Sequence, residues 1–244
     1  LLYTAGHPPI PNNEVSNLVT PLTTATFKLS FVSVFSDKKL LVVWRCRDKL
    51  FTSLTDGNLK ETMNVYTSFV SNNSLDKFYE KVMIPVMTKI GHLWSNGELS
   101  IATEHVASNI AHSLVKVISD DFRKSKYDRG VVILTTPVGE DHDLGCNVLD
   151  SFLTSKGFTT FNLSPATPSE SLIEFIKTAR PDALFVSITL EDNIRSGQRL
   201  VKKIHNEYKK LPIFIGGQAF SQKTNFRFEG KLITDANMLE QMPQ

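Results

Sequence analysis

The sequence predicts two architectures in succession: an all-α four-helix bundle over residues 37–120, then a doubly wound parallel α/β sheet over residues 130–244. The first observation is a run of helix-periodic segments joined by short turns in residues 37–120. The second is an alternation of strand-like and helix-like segments that begins at Gly130. Successive βαβ units with short connections favour a parallel sheet with right-handed crossovers.

The composition is that of a globular protein and argues against several functional classes. The 244 residues are 41% hydrophobic, with 27 basic and 25 acidic side chains, and the net charge of +2 gives no reason to expect a nucleic-acid surface. Two cysteines, Cys46 and Cys146, are too few for a disulfide framework or a zinc cluster, which fits a reducing compartment. No apolar run approaches the ~20 residues of a membrane span. We therefore expect a cytoplasmic protein without a membrane segment.

Residues 1–36 carry the least information. Several prolines and asparagines oppose regular structure there, although Phe27–Val34 alternates roughly with period two and indicates a strand. We assign this segment no function. Because the first residue is Leu1 rather than Met, we expect the natural N-terminus to be missing.

Four helices are predicted in residues 37–120. Asp56-Gly57-Asn58 marks one junction, Ser74 is placed as the N-cap of the third helix, and Ser100 as that of the fourth. Pro85 lies inside the third helix and should kink it. That helix carries one apolar stripe at every fourth position: Phe78, Val82, Val86, Ile90 and Trp94.

Residues 121–129 are charged and without periodicity, and form the predicted linker. Beyond it, the helix that follows Gly145 should end at Gly157, and Thr167–Glu170 has the pattern of a capping box at the start of the next. The last helix is predicted over Asn193–Tyr208. The predicted strands are Val131–Thr136, Thr159–Leu163, Ala183–Ile188 and Ile213–Ile215, with Lys231–Thr234 as a candidate fifth.

One motif lies between the first of these strands and its helix: Gly139-Glu140-Asp141-His142-Asp143-Leu144-Gly145. Ligands of open parallel sheets bind beyond the carboxyl ends of the strands, so a cofactor would meet the protein here. Glu140 precedes His142 by two residues and is the kind of partner that fixes the tautomer of a metal-bound imidazole. Gly145 lets a backbone or a flat ligand come close. Taken alone, His142 would more often be a solvated loop histidine.

The pattern Glu140-x-His142-x-x-Gly145 resembles the Asp-x-His-x-x-Gly signature of cobalamin-binding flavodoxin-like domains. The resemblance implies a flavodoxin-like fold for residues 130–244 and makes His142 the lower axial ligand of cobalt, in place of the cofactor's own dimethylbenzimidazole. Glu140 stands where the family more often has Asp. It carries the same charge on a longer arm, so its role as partner of His142 is retained.

In the domains that this chain resembles, the detached dimethylbenzimidazole tail lies in a slot lined by Ser/Thr and Gly-Gly positions. The matching residues here, all at predicted strand ends, are Ser187, Thr189, Gly216 and Gly217. A flat ring needs bare backbone on one wall and a hydroxyl that hydrogen-bonds the ring nitrogen released by cobalt. A generic flavodoxin-like sheet with strand-end serines and glycines is the alternative.

The helical half contains Trp94, nine further residues, then Glu104-His105. This is similar to the Trp-x9-Glu-His motif of the adenosylcobalamin-dependent photoreceptor regulators of the MerR type, in which a four-helix cap covers the upper face of the corrin. The resemblance implies that Trp94 and Glu104 contact the adenosyl group and that His105 lies beside them. A helix-closing tryptophan and a solvated Glu-His pair are the alternatives. Two further histidines, His112 and His205, are predicted to be surface residues on helices.

The function implied by both resemblances is a cobalamin-binding sensor module, not itself an enzyme, that responds to light through adenosylcobalamin and is coupled to transcription regulation. Cobalamin is the implied partner, a homo-oligomer is compatible, and DNA would be contacted only through a domain that this chain does not show. The rival is a corrinoid methyl-carrier that holds methylcobalamin for a methyltransferase. A flavodoxin-like signalling fold without a cofactor is the third candidate.

One residue departs from the photoreceptor pattern. The position after the motif tryptophan is often a histidine that binds cobalt after photolysis, and here it is Ser95. A hydroxyl is a far poorer cobalt ligand than imidazole. We therefore expect no second imidazole on cobalt after illumination, unless His92 or, less readily, His105 takes that place.

Overall fold

The computed structural model describes residues 34–123, 129–220 and 227–232. A helical part is followed by a five-stranded parallel sheet with helices on its faces, so both predicted architectures and their order are confirmed. The predicted strand Phe27–Val34 lies outside the described residues except for Val34, which begins a helix. No helix in the described ranges has both the length and the apolar character needed to cross a bilayer.

The helical part is a bundle in which three helices begin at a side chain that caps their first turn. Asn58 Oδ1 accepts the backbone N–H of Glu61 at 3.0 Å, and Ser100 Oγ accepts that of Thr103 at 3.1 Å. The predicted cap at Ser74 is also confirmed. The α-helices are α1 (Val34–Thr55), α2 (Leu59–Val70), α3 (Leu75–Phe78), α4 (Ile84–Ser95) and α5 (Ile101–Arg123), so the helical part extends slightly beyond residues 37–120 at each end.

The disturbance expected at Pro85 takes the form of a π-helical turn, Tyr79–Met83, which joins α3 and α4 into one continuous helix. Proline has no N–H to donate to the carbonyl four residues earlier, which belongs to Lys81. Arg47 Nε of α1 donates to that carbonyl instead, at 2.6 Å. The backbone acceptor released by Pro85 thus becomes a contact between helices.

The predicted apolar stripe is buried in the bundle core except at its last member. Phe78, Val82, Val86 and Ile90 are buried, whereas Trp94 is 42% exposed. Trp94 is therefore available for a contact outside the bundle core.

The α/β part has a single parallel sheet in the order β2-β1-β3-β4-β5. The chain order reverses between β1 and β3, and the carboxyl ends of two such strands flank the crevice in which open α/β sheets bind ligands. Its elements are β1 (Val131–Thr135), α6 (Leu144–Ser155), β2 (Thr159–Asn162), α7 (Ser169–Ala179), β3 (Ala183–Ser187), α8 (Ile194–Glu207), β4 (Ile213–Gly216) and β5 (Lys231–Leu232).

The predicted capping box at Thr167–Glu170 is wrong. Pro168 is extended (φ −60°, ψ 139°) and precedes α7 without a side-chain cap. The Thr167 hydroxyl donates backwards to the carbonyl of Leu163, while the Glu170 carboxylate pairs with Lys203 of α8. Both side chains that the box requires are therefore engaged elsewhere.

Helix α6 joins the bundle to the sheet. Its Asp150 accepts hydrogen bonds from Arg123 Nη2 at 2.7 Å and Ser119 Oγ at 3.2 Å, both on α5. The Tyr79 hydroxyl of the π turn donates to Ser151 Oγ at 2.8 Å. The apolar side chains of α6 divide between the bundle core (Leu144, Val148) and the sheet core (Cys146, Leu149, Leu153), and Phe152 packs against both. Since α6 begins directly after the His142 loop, it connects that loop to the bundle.

Candidate functional site

The candidate site is centred on the fully buried carboxylate of Glu140, in the loop between β1 and α6. Its Oε1 accepts from His142 Nδ1 at 2.7 Å and from the His142 backbone N–H at 3.2 Å. Its Oε2 accepts three N–H groups from the segment that follows β3: the backbone of Thr189 and of Leu190, each at 2.9 Å, and Asn193 Nδ2 at 3.1 Å. One side chain therefore ties together the two loops that flank the reversal of strand order.

The hydrogen bonds keep Glu140 ionised. Burial on its own disfavours the charged form, but the N–H donors of Leu190, Asn193, His142 and Thr189 together outweigh it, so the pKa of Glu140 lies below its ordinary value of 4.5. An ionised carboxylate can only accept, so Nδ1 of His142 must carry the proton that joins them.

The other ring nitrogen of His142 is the one left for a ligand. In the neutral ring Nε2 then carries a lone pair, and no described residue bonds to it. The side chain is 49% exposed even though its partner Glu140 is fully buried. The result is an imidazole that is fixed from behind and open in front, the arrangement of a metal-binding histidine oriented by a carboxylate.

The predicted tail-slot residues meet at the same edge of the sheet. Ser187 ends β3 and pairs in register with Gly216, the last residue of β4. A Cβ on Gly145 would lie 2.8 Å from Ser187 Oγ, so α6 passes close to that hydroxyl. Thr189 contributes its backbone N–H to Glu140.

Gly217 has a structural reason to be glycine that is independent of any ligand. Its φ is +120°, and a Cβ there would lie 2.1 Å from the backbone oxygen of Ile188. The loop after β4 therefore packs directly on the end of β3.

The predicted upper-face residues lie at one end of the bundle, where the turn over residues 96–100 links α4 to α5. Trp94 is near the end of α4, and Glu104 and His105 lie near the start of α5. His105 Nδ1 lies 2.7 Å from Glu104 Oε2, and Ser108 Oγ donates to Glu104 Oε1 at 2.6 Å. The structure thus pairs Glu104 with His105, and a bond from Ser108 orients the carboxylate.

Two residues near the site were not predicted. Asn193 directly precedes α8 and donates through Nδ2 to the carbonyl of Gly139 and to Glu140, each at 3.1 Å. His112 lies on helix α5 as predicted but is half-buried rather than solvated: its ring lies between Asp143 Oδ1, 3.4 Å from Nε2, and Asn147 Nδ2, 3.2 Å from Nδ1. An asparagine at a predicted helix start was a usable signal for Asn193, whereas His112 had none.

Two family models, both described as B12 binding domain, match the chain. One covers residues 130–232 and contains the sheet with the Glu140–His142 pair. The other covers residues 46–119 and contains the bundle with Trp94, Glu104 and His105.

The curated relatives are distant and of several kinds. Dimethylamine corrinoid protein 1 of Methanosarcina mazei is 21% identical over 56% of this chain and 65% of its own length. The HTH-type transcriptional repressor CarH of Myxococcus xanthus is 22% identical over 59% of this chain and 48% of its own. Methionine synthase of Mycobacterium leprae is 22% identical, and the match spans 12% of that protein. A corrinoid protein, a methionine synthase and a transcriptional repressor are thus all similar to this chain.

Among solved structures, the monomethylamine corrinoid protein of Methanosarcina barkeri has the same fold, with a TM-score of 0.64. The match covers 78% of this chain and 92% of that one, at 16% identity. The chain therefore contains two B12 binding domains, a helical one at residues 46–119 and an α/β one at residues 130–232.

Proposed function

We propose that this chain is a cobalamin-binding sensor module that holds adenosylcobalamin, uses His142 as the lower cobalt ligand and responds to light. The observation that carries the proposal is the Glu140–His142 pair. The buried carboxylate oxygen Oε1 lies 2.7 Å from Nδ1 and keeps the ring proton there, which leaves Nε2 as the atom that would bind cobalt. Its output would be transcription regulation through a DNA-binding domain outside this chain.

The residues present fit a corrinoid. His142 presents one open imidazole nitrogen, Nε2, which would be the ligand that the protein supplies to cobalt. Ser187, Gly216 and Gly217, which lie together at the carboxyl ends of β3 and β4, would line the slot for the nucleotide tail. The Ser187 hydroxyl would hydrogen-bond the free ring nitrogen of that tail.

The helical part would cover the upper face. Trp94 offers an exposed ring on which adenine can stack, and the Glu104 carboxylate, oriented by Ser108 at 2.6 Å, can accept hydrogen bonds from ribose hydroxyls or the adenine amine. Bound adenosylcobalamin would supply a cobalt–carbon bond that light cleaves. A cofactor that contacts both the bundle and the sheet would favour the arrangement in which the bundle covers it. Loss of the adenosyl group would remove the contacts with Trp94 and Glu104 and so weaken that preference.

A corrinoid methyl-carrier is the second candidate, because two of the compared proteins are named as methylamine corrinoid proteins. A methyl group offers Trp94 no surface for stacking and Glu104 no hydrogen bond. The two candidates therefore differ in whether the chain prefers adenosylcobalamin to methylcobalamin.

The test is to compare the affinities for the two cofactors in the intact chain and in Trp94→Ala. We expect tighter binding of adenosylcobalamin, and a loss of about 1 kcal/mol of that preference, roughly fivefold in Kd, in the variant. Trp44→Ala is the matched control, since Trp44 is 53% exposed on α1. Equal affinity of the intact chain for both cofactors would favour the methyl-carrier.

Illumination tests the light response separately. An absorption spectrum of the adenosylcobalamin-loaded chain should change after green light. Ser95 Oγ donates to the carbonyl of His92 at 2.9 Å, so the hydroxyl is engaged within its own helix. We expect the illuminated spectrum to lack the signature of two imidazole ligands. Such a signature, abolished in His92→Ala, would instead assign the second ligand to His92.

A further inference from the structure

Two asparagine side chains, Asn162 and Asn147, form a hydrogen-bonded amide relay that runs from the end of β2 to His112 on helix α5. Asn162 Oδ1 accepts the backbone N–H of Ser164 at 3.1 Å, and Asn162 Nδ2 donates to Asn147 Oδ1 at 2.9 Å. Asn147 Nδ2 then lies 3.2 Å from His112 Nδ1. These residues belong to β2, α6 and α5, so the relay spans the sheet, the connecting helix and the bundle.

The bond from the Ser164 backbone N–H fixes which way round both amide groups of the relay are oriented. A backbone N–H can only donate, so the atom of Asn162 that faces Ser164 must be the carbonyl oxygen, which leaves its NH2 for Asn147. Asn147 must receive this NH2 with its own oxygen, so its NH2 faces His112. Nδ1 of His112 is consequently the acceptor.

The proton of neutral His112 must therefore sit on Nε2. That nitrogen faces Asp143 Oδ1 at 3.4 Å, and a carboxylate favours an N–H there. Asp143 directly follows His142 and stands at the start of α6. Glu140 thus holds the His142 loop from the sheet side, and His112 meets the same loop from the bundle side.

We propose that His112 is a positioning residue which the amide relay fixes as the Nε2–H tautomer, so that it couples helix α5 to the loop that carries His142. Movement of α5 changes the contact with Asp143 and, through it, the aim of the His142 imidazole. The tautomer of His112 is independent of the proposed function, whereas its effect on cobalt rests on that function.

The first experiment determines the His112 tautomer by imidazole ¹⁵N NMR in the full cofactor-free chain, with the His112 signals assigned by their loss in His112→Gln. We expect the proton on Nε2. In Asn162→Asp the new carboxylate has no N–H, so Asn147 turns its NH2 towards it and presents its oxygen to Nδ1, which must then carry a proton. Asn206→Asp, exposed on α8, is the matched control and should leave the tautomer unchanged.

Two results would overturn the relay: a proton on Nδ1 in the intact chain, or an unchanged tautomer in Asn162→Asp. Should Asn162→Asp fail to fold, Asn147→Asp serves instead: its carboxylate still accepts from Asn162 Nδ2 but presents an oxygen to His112 Nδ1, which must then carry a proton, and a His112 without a proton on Nδ1 would overturn the relay.

The second experiment compares His112→Gln with His112→Leu after loading with adenosylcobalamin. The glutamine side chain keeps one acceptor for Asn147 and one N–H for Asp143, so the spectrum and affinity should stay close to those of the intact chain. Leucine keeps neither, and we expect about a fivefold weaker affinity together with a spectrum shifted towards that of His142→Ala. This is less than the 10–100-fold typical of a group bonded directly to a metal ligand.

The outcomes separate the two proposals. If His112→Leu matches the intact chain in spectrum and affinity, His112 does not position His142. If His142→Ala itself leaves the spectrum unchanged, the proposed cobalt ligation fails, and with it the coupling to cobalt, while the NMR result still decides the relay.

Discussion

Replacing Glu140 with glutamine should reverse the tautomer of His142. Oε2 accepts three N–H groups, from Thr189, Leu190 and Asn193, so the amide oxygen of the glutamine must take that position. Its NH2 then replaces Oε1 and faces His142 Nδ1, which must become an acceptor. The ring proton moves to Nε2 and blocks the atom that would bind cobalt.

The size of the effect follows from the bonds that change. The NH2 also faces the backbone N–H of His142, at 3.2 Å from the atom it replaces, and that hydrogen bond is lost outright. The remaining bonds become neutral, and hydrogen bonds to a charged group are worth about 1.5–3 kcal/mol against roughly 1 for neutral ones. We expect the free energy of unfolding to fall by roughly 3 kcal/mol and the cobalamin affinity to fall about 10–100-fold.

Three measurements check this: urea unfolding of the cofactor-free chain, imidazole ¹⁵N NMR of His142, and cobalamin titration followed by absorbance. Glu174→Gln is the matched control, because Glu174 is exposed on α7, and it should change none of the three. An intact Nδ1–H tautomer together with unchanged affinity in Glu140→Gln would refute the reasoning.

Three other perturbations address the frame of the site. The folded-state pKa of Glu140 lies below 4.5, so as the pH falls the carboxylate is protonated first in the unfolded chain. The stabilisation that ionised Glu140 provides is complete above about pH 4.5 and is lost as the pH falls through the folded-state pKa. Urea midpoints should therefore fall more steeply in acid for the intact chain than for Glu140→Gln. Asn193→Ala removes two hydrogen bonds and should lower the unfolding free energy by about 2 kcal/mol, whereas Asn206→Ala should leave it unchanged; equal values would contradict the role of Asn193. Gly217→Ala should lower the unfolding free energy by roughly 3 kcal/mol, through backbone strain at positive φ and overlap of the new Cβ with Ile188. Gly97→Ala, where φ is also positive but a Cβ meets nothing within 4 Å, should cost only about 1 kcal/mol. Similar losses at both sites would argue against the close packing of Gly217 on Ile188.

The sequence was sufficient for the sheet and for the position of His142 because both depend on local patterns. Buried parallel strands are continuous apolar runs, and the runs at Val131, Ala183 and Ile213 each form a strand. His142 follows the first of them within a short loop, so its place at the carboxyl end of the sheet followed from topology alone.

The partners of these residues could not be predicted, because they come from distant parts of the chain. Asn193 reaches Glu140 across 53 residues, and Asn147 meets His112 across 35. The capping box at Thr167 failed for the opposite reason: the local pattern was present, but the threonine hydroxyl found the carbonyl of Leu163 behind it. Local patterns therefore placed the elements, and long-range hydrogen bonds decided which side chains act together.

The most direct test of cobalt ligation by His142 is the absorption spectrum of the adenosylcobalamin-loaded chain, recorded in the dark and compared with His142→Ala. His205→Ala, on α8, is the control and should match the intact chain. We expect His142→Ala to shift the spectrum of the bound cofactor or to weaken its binding, because no other described residue bonds to Glu140 through an imidazole. Full occupancy with an unchanged spectrum in His142→Ala would contradict the assignment of His142 as the cobalt ligand.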